Sequence, residues 1–277
     1  MTDVPFPRST PIGSAAANTA ATAAAAPGWT ALATVFDRID AMVIGASAGG
    51  VEALTRILPA FPAGFAPTVI IVLHLPPDAS SELAALFAPR CKLSVRELSD
   101  REPLVGGTIY FAPAGYHSLV NTDRRCALSI EEPVNFSRPS IDVLFESAAW
   151  TYGARLLAVL LTGASSDGAY GMAVVHAEGG QNWAQDPQEA RSSTMPLSAI
   201  ERGVVDHVVR IDDIIGALSA SASVLASKRA SSVLLSPTSP PATALMPHAA
   251  SNVLAGPSAL SGSESTSGAA PSSKASS

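Results

Sequence analysis

The chain has 277 residues, 17 Lys+Arg against 23 Asp+Glu and a formal net charge of −6. Lys228–Ser277 holds 33 Ala, Ser, Pro or Gly among 50 residues, and Met1–Phe36 holds eleven Ala and two charges, Asp3 and Arg8; neither end has the large apolar residues that offset ordering entropy, so residues 1–36 and 227–277 are expected to be disordered tails around one domain at 37–226. That domain carries 13 basic against 21 acidic residues, with no Lys/Arg run longer than Arg124-Arg125 and no apolar run of 18 residues, which excludes a nucleic-acid surface and a membrane-spanning helix.

In chain order, Ala41-Met42-Val43-Ile44 reads as a buried strand that ends in a glycine-rich turn. Val51, Leu54, Ile57 and Leu58 then mark one face of a helix stopped near Pro59. Thr68–Leu73 is a second apolar strand, and Ser81–Ala88 a second helix. Thr108–Phe111, Ser118–Asn121 and Cys126–Ile130 read as three strands, the last two joined around Thr122–Arg125 as an antiparallel hairpin. Beyond Pro139, the residues Ile141, Leu144, Phe145, Ala148 and Ala149 follow a helical stripe. Leu156–Leu161 is a fully apolar strand, followed by a Gly/Ser turn and a helix to about Glu178. Asn182–Gln185, Val204–Arg210 and a helix to about Ala220 complete the alternation. Strands alternating with helices predict an α/β fold with three α/β/α layers: a mainly parallel, doubly wound sheet with an antiparallel hairpin. Cys91 and Cys126, both in strand-like segments, read as buried thiols, and the alanine tract Ala15–Ala26 lacks the basic and large apolar parts of a signal peptide, so the cytoplasm is the expected compartment.

Functional groups in such sheets collect where strands end at their carboxyl edge. Gly45-Ala46-Ser47-Ala48-Gly49 matches G-x-S-x-G, a sharp strand-to-helix turn that lifts a serine hydroxyl above the sheet. A dinucleotide fingerprint would need glycine at Ser47 and an acidic residue about twenty positions on, and neither is present. His74 leaves the second strand, and imidazole is the side chain suited to general-base work at neutral pH. Asp167 follows the Leu156–Leu161 strand and opens a helix; it reads either as an N-cap or as the group that orients His74. A serine, a base and an orienter at three strand ends point to nucleophilic acyl transfer. Asp206-His207 offers a rival histidine in the order Ser–Asp–His. His117, His176, His207 and His248 lack metal-ligand spacing, so neither metal nor cofactor is expected.

The segment Val43–Leu54, the run His74-Leu75-Pro76-Pro77, the blocks Tyr110–His117 and Ser137–Phe145, and Leu161-Thr162-Gly163 followed by Asp167-Gly168-Ala169 together resemble the catalytic domain of the chemotaxis receptor methylesterases, over about Met42–Leu218. The resemblance implies a catalytic triad of Ser47, His74 and Asp167 and an oxyanion hole from the backbone N–H groups of Ala48 and Ala164, where the family usually has Thr and Met. It implies a serine hydrolase that removes methyl esters from glutamates of a methyl-accepting chemotaxis receptor and releases methanol, glutamine deamidation being the related reaction. A receptor methyltransferase and a separate response regulator are the further partners it suggests. The alternative is a weakly active scaffold that binds receptors or the methyltransferase. Family members commonly carry a receiver domain ahead of the catalytic domain; the 36 residues before this core are too few for one, so regulation through such a domain in the same chain is not expected. Because the substrate segments of the family are acidic like this core, a local basic rim is expected at the site, from Arg138 and Arg155.

Overall fold

A computed structural model describes residues 28–75 and 82–234, with side chains described as far as 222. Of the expected tails at 1–36 and 227–277, residues 1–27 and 235–277 lie outside the described residues, as does the Pro76-Pro77 pair.

The strands are β1 (Ala41–Ala46), β2 (Thr68–Leu73), β3 (Ser94–Glu97), β4 (Thr108–Phe111), β5 (His117–Val120), β6 (Cys126–Ser129), β7 (Leu156–Leu160), β8 (Gln181–Gln185) and β9 (His207–Val209). The helices are α1 (Trp29–Ala33), α2 (Gly50–Ile57), α3 (Leu83–Phe87), α4 (Ile141–Tyr152), α5 (Ala169–Ala177), α6 (Thr194–Glu201) and α7 (Ile211–Leu234). Among the described residues, seven strands form one sheet in the order β3-β4-β2-β1-β7-β8-β9, with every neighbouring pair parallel. The expected hairpin is present as β5-β6, antiparallel and separate from the main sheet.

Parallel strands buried on both faces need apolar side chains at every position, and β1, β2 and β7 are buried throughout. Alternate residues of β1 feed two cores. Met42, Ile44 and Ala46 pack with α1, α2, α3 and α7, whereas Ala41 and Val43 pack with α4, α5, α6 and the hairpin.

Four sequence expectations need correction. The domain does not begin at Asp37: α1 and a 3₁₀ turn at Thr34–Asp37 place Leu32, Val35 and Phe36 in the core beside Ile214 and Leu218 of α7. Three large apolar residues in an alanine-rich context suffice once a neighbouring helix offers a surface to bury them. The last helix continues to Leu234, past its expected end at about Ala220 and past the expected domain end at 226. The strand β3 and helix α6 are not among the elements expected from sequence; β3 has one large apolar residue, Val95, and is an edge strand whose residues alternate between exposed and half-buried. Cys91 sits half-buried in irregular chain after a 3₁₀ turn, not in a strand, whereas Cys126 begins β6 and is buried. No helix among the described residues is long and apolar enough to cross a membrane.

Candidate active site

Strands β2, β1 and β7 are neighbours, and their registers pair Ala46 with Leu73 and Gly45 with Leu160. The residues just past these strands are therefore brought to one edge. There the His74 N–H donates to the Ala46 carbonyl at 3.0 Å, and the Ser47 N–H donates to the Thr162 carbonyl at 2.9 Å. Ser47, His74 and the 161–167 turn are thus assembled by main-chain bonds before any side chain is considered.

Ser47 sits where β1 turns sharply into α2. Gly49 has φ +88°, a left-handed conformation that side chains rarely adopt, and a Cβ there would lie 2.8 Å from Arg191 Cβ. Thr162 Oγ1 donates to the Ala48 carbonyl at 2.8 Å and accepts the Ser192 N–H at 2.9 Å, which ties the serine turn to the turn after β7. The two turns touch: a Cβ on Gly163 would lie 3.0 Å from Ser47 Cβ. Ala48 and Ala164 are both exposed, and among the described residues neither backbone N–H has an acceptor. Two open N–H donors flanking a serine are the requirement for binding a carbonyl oxygen that gains charge.

His74 Nε2 lies 2.9 Å from Asp167 Oδ2. Asp167 is fully buried, and the His74 side chain is 13% exposed. An ionised carboxylate only accepts, so Nε2 carries the proton and Nδ1 is left as the basic nitrogen. Ser137 Oγ approaches Nδ1 at 3.5 Å, and Ser47 Oγ makes no hydrogen bond with His74. Contacts of this kind are commonly loose in free enzymes and tighten on substrate. Burial pushes the Asp167 carboxyl up, but hydrogen bonds from His74, the Ile141 and Asp142 N–H groups and the Ser140 hydroxyl outweigh it and hold the carboxyl below the ordinary range. Donors at the start of α4 supply three of these bonds, at 2.7, 3.1 and 2.8 Å. The residue is therefore the partner of His74, as one reading of its sequence position allowed, and it caps α4 across the site, not α5, the helix it precedes, whose own N-cap residue makes no side-chain bond.

A cavity of about 390 Å³ opens beside His74, lined among others by Leu73, Ala112, Phe136, Ser137 and Arg138. Phe136 stands fully exposed beside it. Of the two arginines expected at a basic rim, Arg138 lines this cavity. Arg155 does not reach it: it precedes β7 at the opposite edge of the sheet and pairs with Asp40. The arginine that sequence reasoning missed is Arg191, whose stem packs on Gly49 and which has no ion pair among the described residues. The rival histidine is also remote. His207 starts β9, separated from β1 by β7 and β8, with its ring against Trp183, while Asp206 accepts the Asn182 N–H. His117 is buried, its two ring nitrogens bonded to the Ser140 N–H and the Glu132 carbonyl, so it braces the 132–140 segment. Asn135 and Asp142, both hydrogen-bonded around Asp167, were not singled out from sequence; each is an ordinary loop or helix polar residue until the fold closes over it.

Comparison with known proteins gives a consistent neighbourhood. The family model described as CheB methylesterase matches residues 42–218. A putative protein-glutamate methylesterase/protein-glutamine glutaminase of Leptospira interrogans is 42% identical over 175 residues, covering 63% of this chain and 91% of the relative. A protein-glutamate methylesterase/protein-glutamine glutaminase of Anaeromyxobacter dehalogenans is 40% identical over 181 residues, 65% of this chain and 53% of the relative. Among solved structures, the CheB methylesterase catalytic domain of Thermotoga maritima superposes with a TM-score of 0.62 at 32% identity, covering 65% of this chain and 97% of that one.

Proposed function

The chain belongs to the CheB methylesterase family, and we propose that it hydrolyses methyl esters of glutamate side chains in methyl-accepting chemotaxis receptors, with Ser47 as nucleophile, His74 as general base and acid, and Asp167 as orienting carboxylate. Ser47 Oγ attacks the ester carbonyl while His74 Nδ1 takes the hydroxyl proton. The N–H groups of Ala48 and Ala164 receive the oxyanion, and Asp167 stabilises the imidazolium through Nε2. The tetrahedral intermediate collapses as the methoxy oxygen takes the proton from His74 and leaves as methanol. A water molecule then gives its proton to His74, attacks the acyl-serine, and releases glutamate as Ser47 recovers its proton. A glutamine side chain would follow the same steps with ammonia as the leaving group.

The observation that carries this reading is the 2.9 Å His74–Asp167 bond beside two touching turns, the Ser47 turn and the turn after β7, each with an open N–H donor, Ala48 and Ala164. The alanines at 48 and 164 leave those donors in place, because backbone supplies them whatever the side chain. A scaffold without catalysis would have no need of an imidazole held by a buried carboxylate. The 3.5 Å contact between Ser137 and His74 makes Ser137 a second candidate nucleophile, in a loop and not at the end of a central strand.

Methanol release from a methylated receptor fragment is the test. Ser47→Ala and His74→Ala are each expected to lower the rate by about 10⁴-fold or more, with Ser137→Ala within several-fold of the parent and His207→Ala unchanged. A fluorophosphonate should label Ser47 and not Ser137. Parental turnover in Ser47→Ala, or loss confined to Ser137→Ala, overturns the assignment.

A further inference from the structure

The N-termini of α4 and α5 cross, and each is capped by an aspartate from the other. Asp167, just ahead of α5, accepts the Ile141 and Asp142 N–H groups at 2.7 and 3.1 Å. Asp142, in the first turn of α4, accepts the Gly168 and Gly171 N–H groups at 2.8 and 2.7 Å through Oδ1. The approach is close enough that a Cβ on Gly171 would lie 2.6 Å from Phe145 Cβ and 3.1 Å from Asp142 Cα. Two buried carboxylates therefore lie side by side, and among the described residues neither pairs with lysine or arginine. Like charges in such a place resist joint ionisation.

One side chain joins them. Asn135 Nδ2 donates to Asp142 Oδ2 at 2.7 Å and to Asp167 Oδ1 at 3.2 Å. A primary amide has two N–H bonds, one for each carboxylate. It leaves Asp167 Oδ2 to His74 and the Ile141 N–H. Asn135 reaches this position from a tight turn bridged between Val134 and Ser137, in which Asn135 and Phe136 have φ +50° and +61°. Asparagine tolerates that left-handed backbone better than most residues. The remaining titratable groups around the pair are His74 from the end of β2, Glu146 one turn along α4, and His117 from β5, which accepts the Ser140 N–H.

We propose that Asn135 is a positioning residue for the hydrolysis, its amide clamping the two buried carboxylates together so that Asp167 keeps Oδ2 on the imidazole of His74. This rests on the reading of Asp167 as the orienting carboxylate. With the clamp in place, Asp142→Asn is expected to create a conflict. An asparagine at 142 keeps one oxygen for Gly168 and Gly171 and so turns N–H groups toward the Asn135 amide, donor against donor. Burial first, and then the charge of Asp167, push the Asp142 carboxyl up, against the N–H groups of Gly171 and Gly168 and then the Asn135 amide.

Two variants test the clamp. Asn135→Gly keeps the left-handed backbone and deletes the amide; Asn135→Asp keeps the shape and replaces donors with acceptors. Both are expected to lower kcat by about 10- to 100-fold with KM little changed, the scale of a misplaced catalytic group. The acid limb of the pH–rate profile should move to higher pH, so that the deficit widens as pH falls. Carboxyl-carbon NMR titration of Asp142 and Asp167 supplies a readout that needs no substrate: in either variant the titration of the pair should shift upward. Unshifted titration, or a deficit of the same factor at every pH, overturns the clamp. If the parent itself releases no methanol, it is the hydrolase reading that fails, while the titration still decides whether Asn135 sets the state of the pair.

Discussion

The two edges of the sheet each hold an aspartate in a charge-stabilising setting, and they do it in opposite ways. At the amino edge, Asp40 precedes β1 and is gripped by Arg155 and by Arg124, the latter at 2.9 Å; the two arginine side chains are 60% and 55% exposed. The Arg155 hydrogen bond, ahead of the opposing effect of burial, holds the Asp40 carboxyl below the usual range. At the carboxyl edge, Asp167 is fully buried and has no arginine; neutral N–H and O–H donors and one imidazole do the same work. The difference teaches what an orienting carboxylate needs. A guanidinium beside it would satisfy the charge completely and leave little for a developing imidazolium. Helix-terminal dipoles stabilise the charge without neutralising it.

Removing the charge at each edge should break this symmetry most visibly. Asp167→Asn is expected to cut methanol release by about 10³- to 10⁴-fold, because the amide favours the wrong imidazole tautomer. It should also cost about 1–3 kcal/mol in denaturant-measured stability, through weakened acceptors for the buried N–H groups at Ile141 and Asp142. Asp40→Asn should leave the rate unchanged, with a small stability loss that shrinks as salt is added, as befits an exposed ion pair.

Acid sharpens the contrast. Asp167 and Asp40 both have carboxyls lowered from 3.8, so the stability each contributes is fully present above that value and is lost as pH falls through the lower folded value. Asp142 is raised from 3.8 and acts with the opposite sign, its contribution being present below 3.8 and lost as pH rises through its folded value. Unfolding curves followed from about pH 5 down to about pH 2 should show that Asp167→Asn removes much of the acid slope at any ionic strength. Asp40→Asn should remove a smaller part, and less of it in high salt. Equal, salt-insensitive slopes would contradict the distinction between the edges.

The smallest expected effect concerns the cations. Arg155 is occupied by Asp40, whereas Arg191 packs its stem on Gly49 with no ion pair among the described residues. Arg191→Ala should raise KM for an acidic receptor fragment several-fold with kcat nearly unchanged, an effect damped by salt, whereas Arg155→Ala should alter neither. Equal responses would mean that neither arginine meets the substrate.

Much of this was legible in the chain. Near-continuous apolar runs such as Val69–Leu73 and Leu156–Leu160 announce buried parallel strands, because only strands covered on both faces need them. The glycine-flanked Ser47 and the placement of His74 and Asp167 after such runs follow from the same logic, since strand ends at the carboxyl edge are where a doubly wound sheet exposes its groups. Local signals of this kind survive without knowledge of partners. The edge strand β3, the core contacts of Leu32 and Phe36, and the remoteness of Arg155 did not, because each depends on what lies across a gap in sequence. Arg155 and Arg138 look alike in one dimension; strand direction sends one to each end of the sheet.

The sequence by itself determined the alternation of strands and helices, the class of sheet, and the three residue types that end β1, β2 and β7. Tertiary structure alone decided which carboxylates meet. Asn135, Asp142 and Asp167 are up to 32 positions apart, and the amide bridge among them exists only because the crossing of α4 and α5 buries two like charges that then require a shared donor.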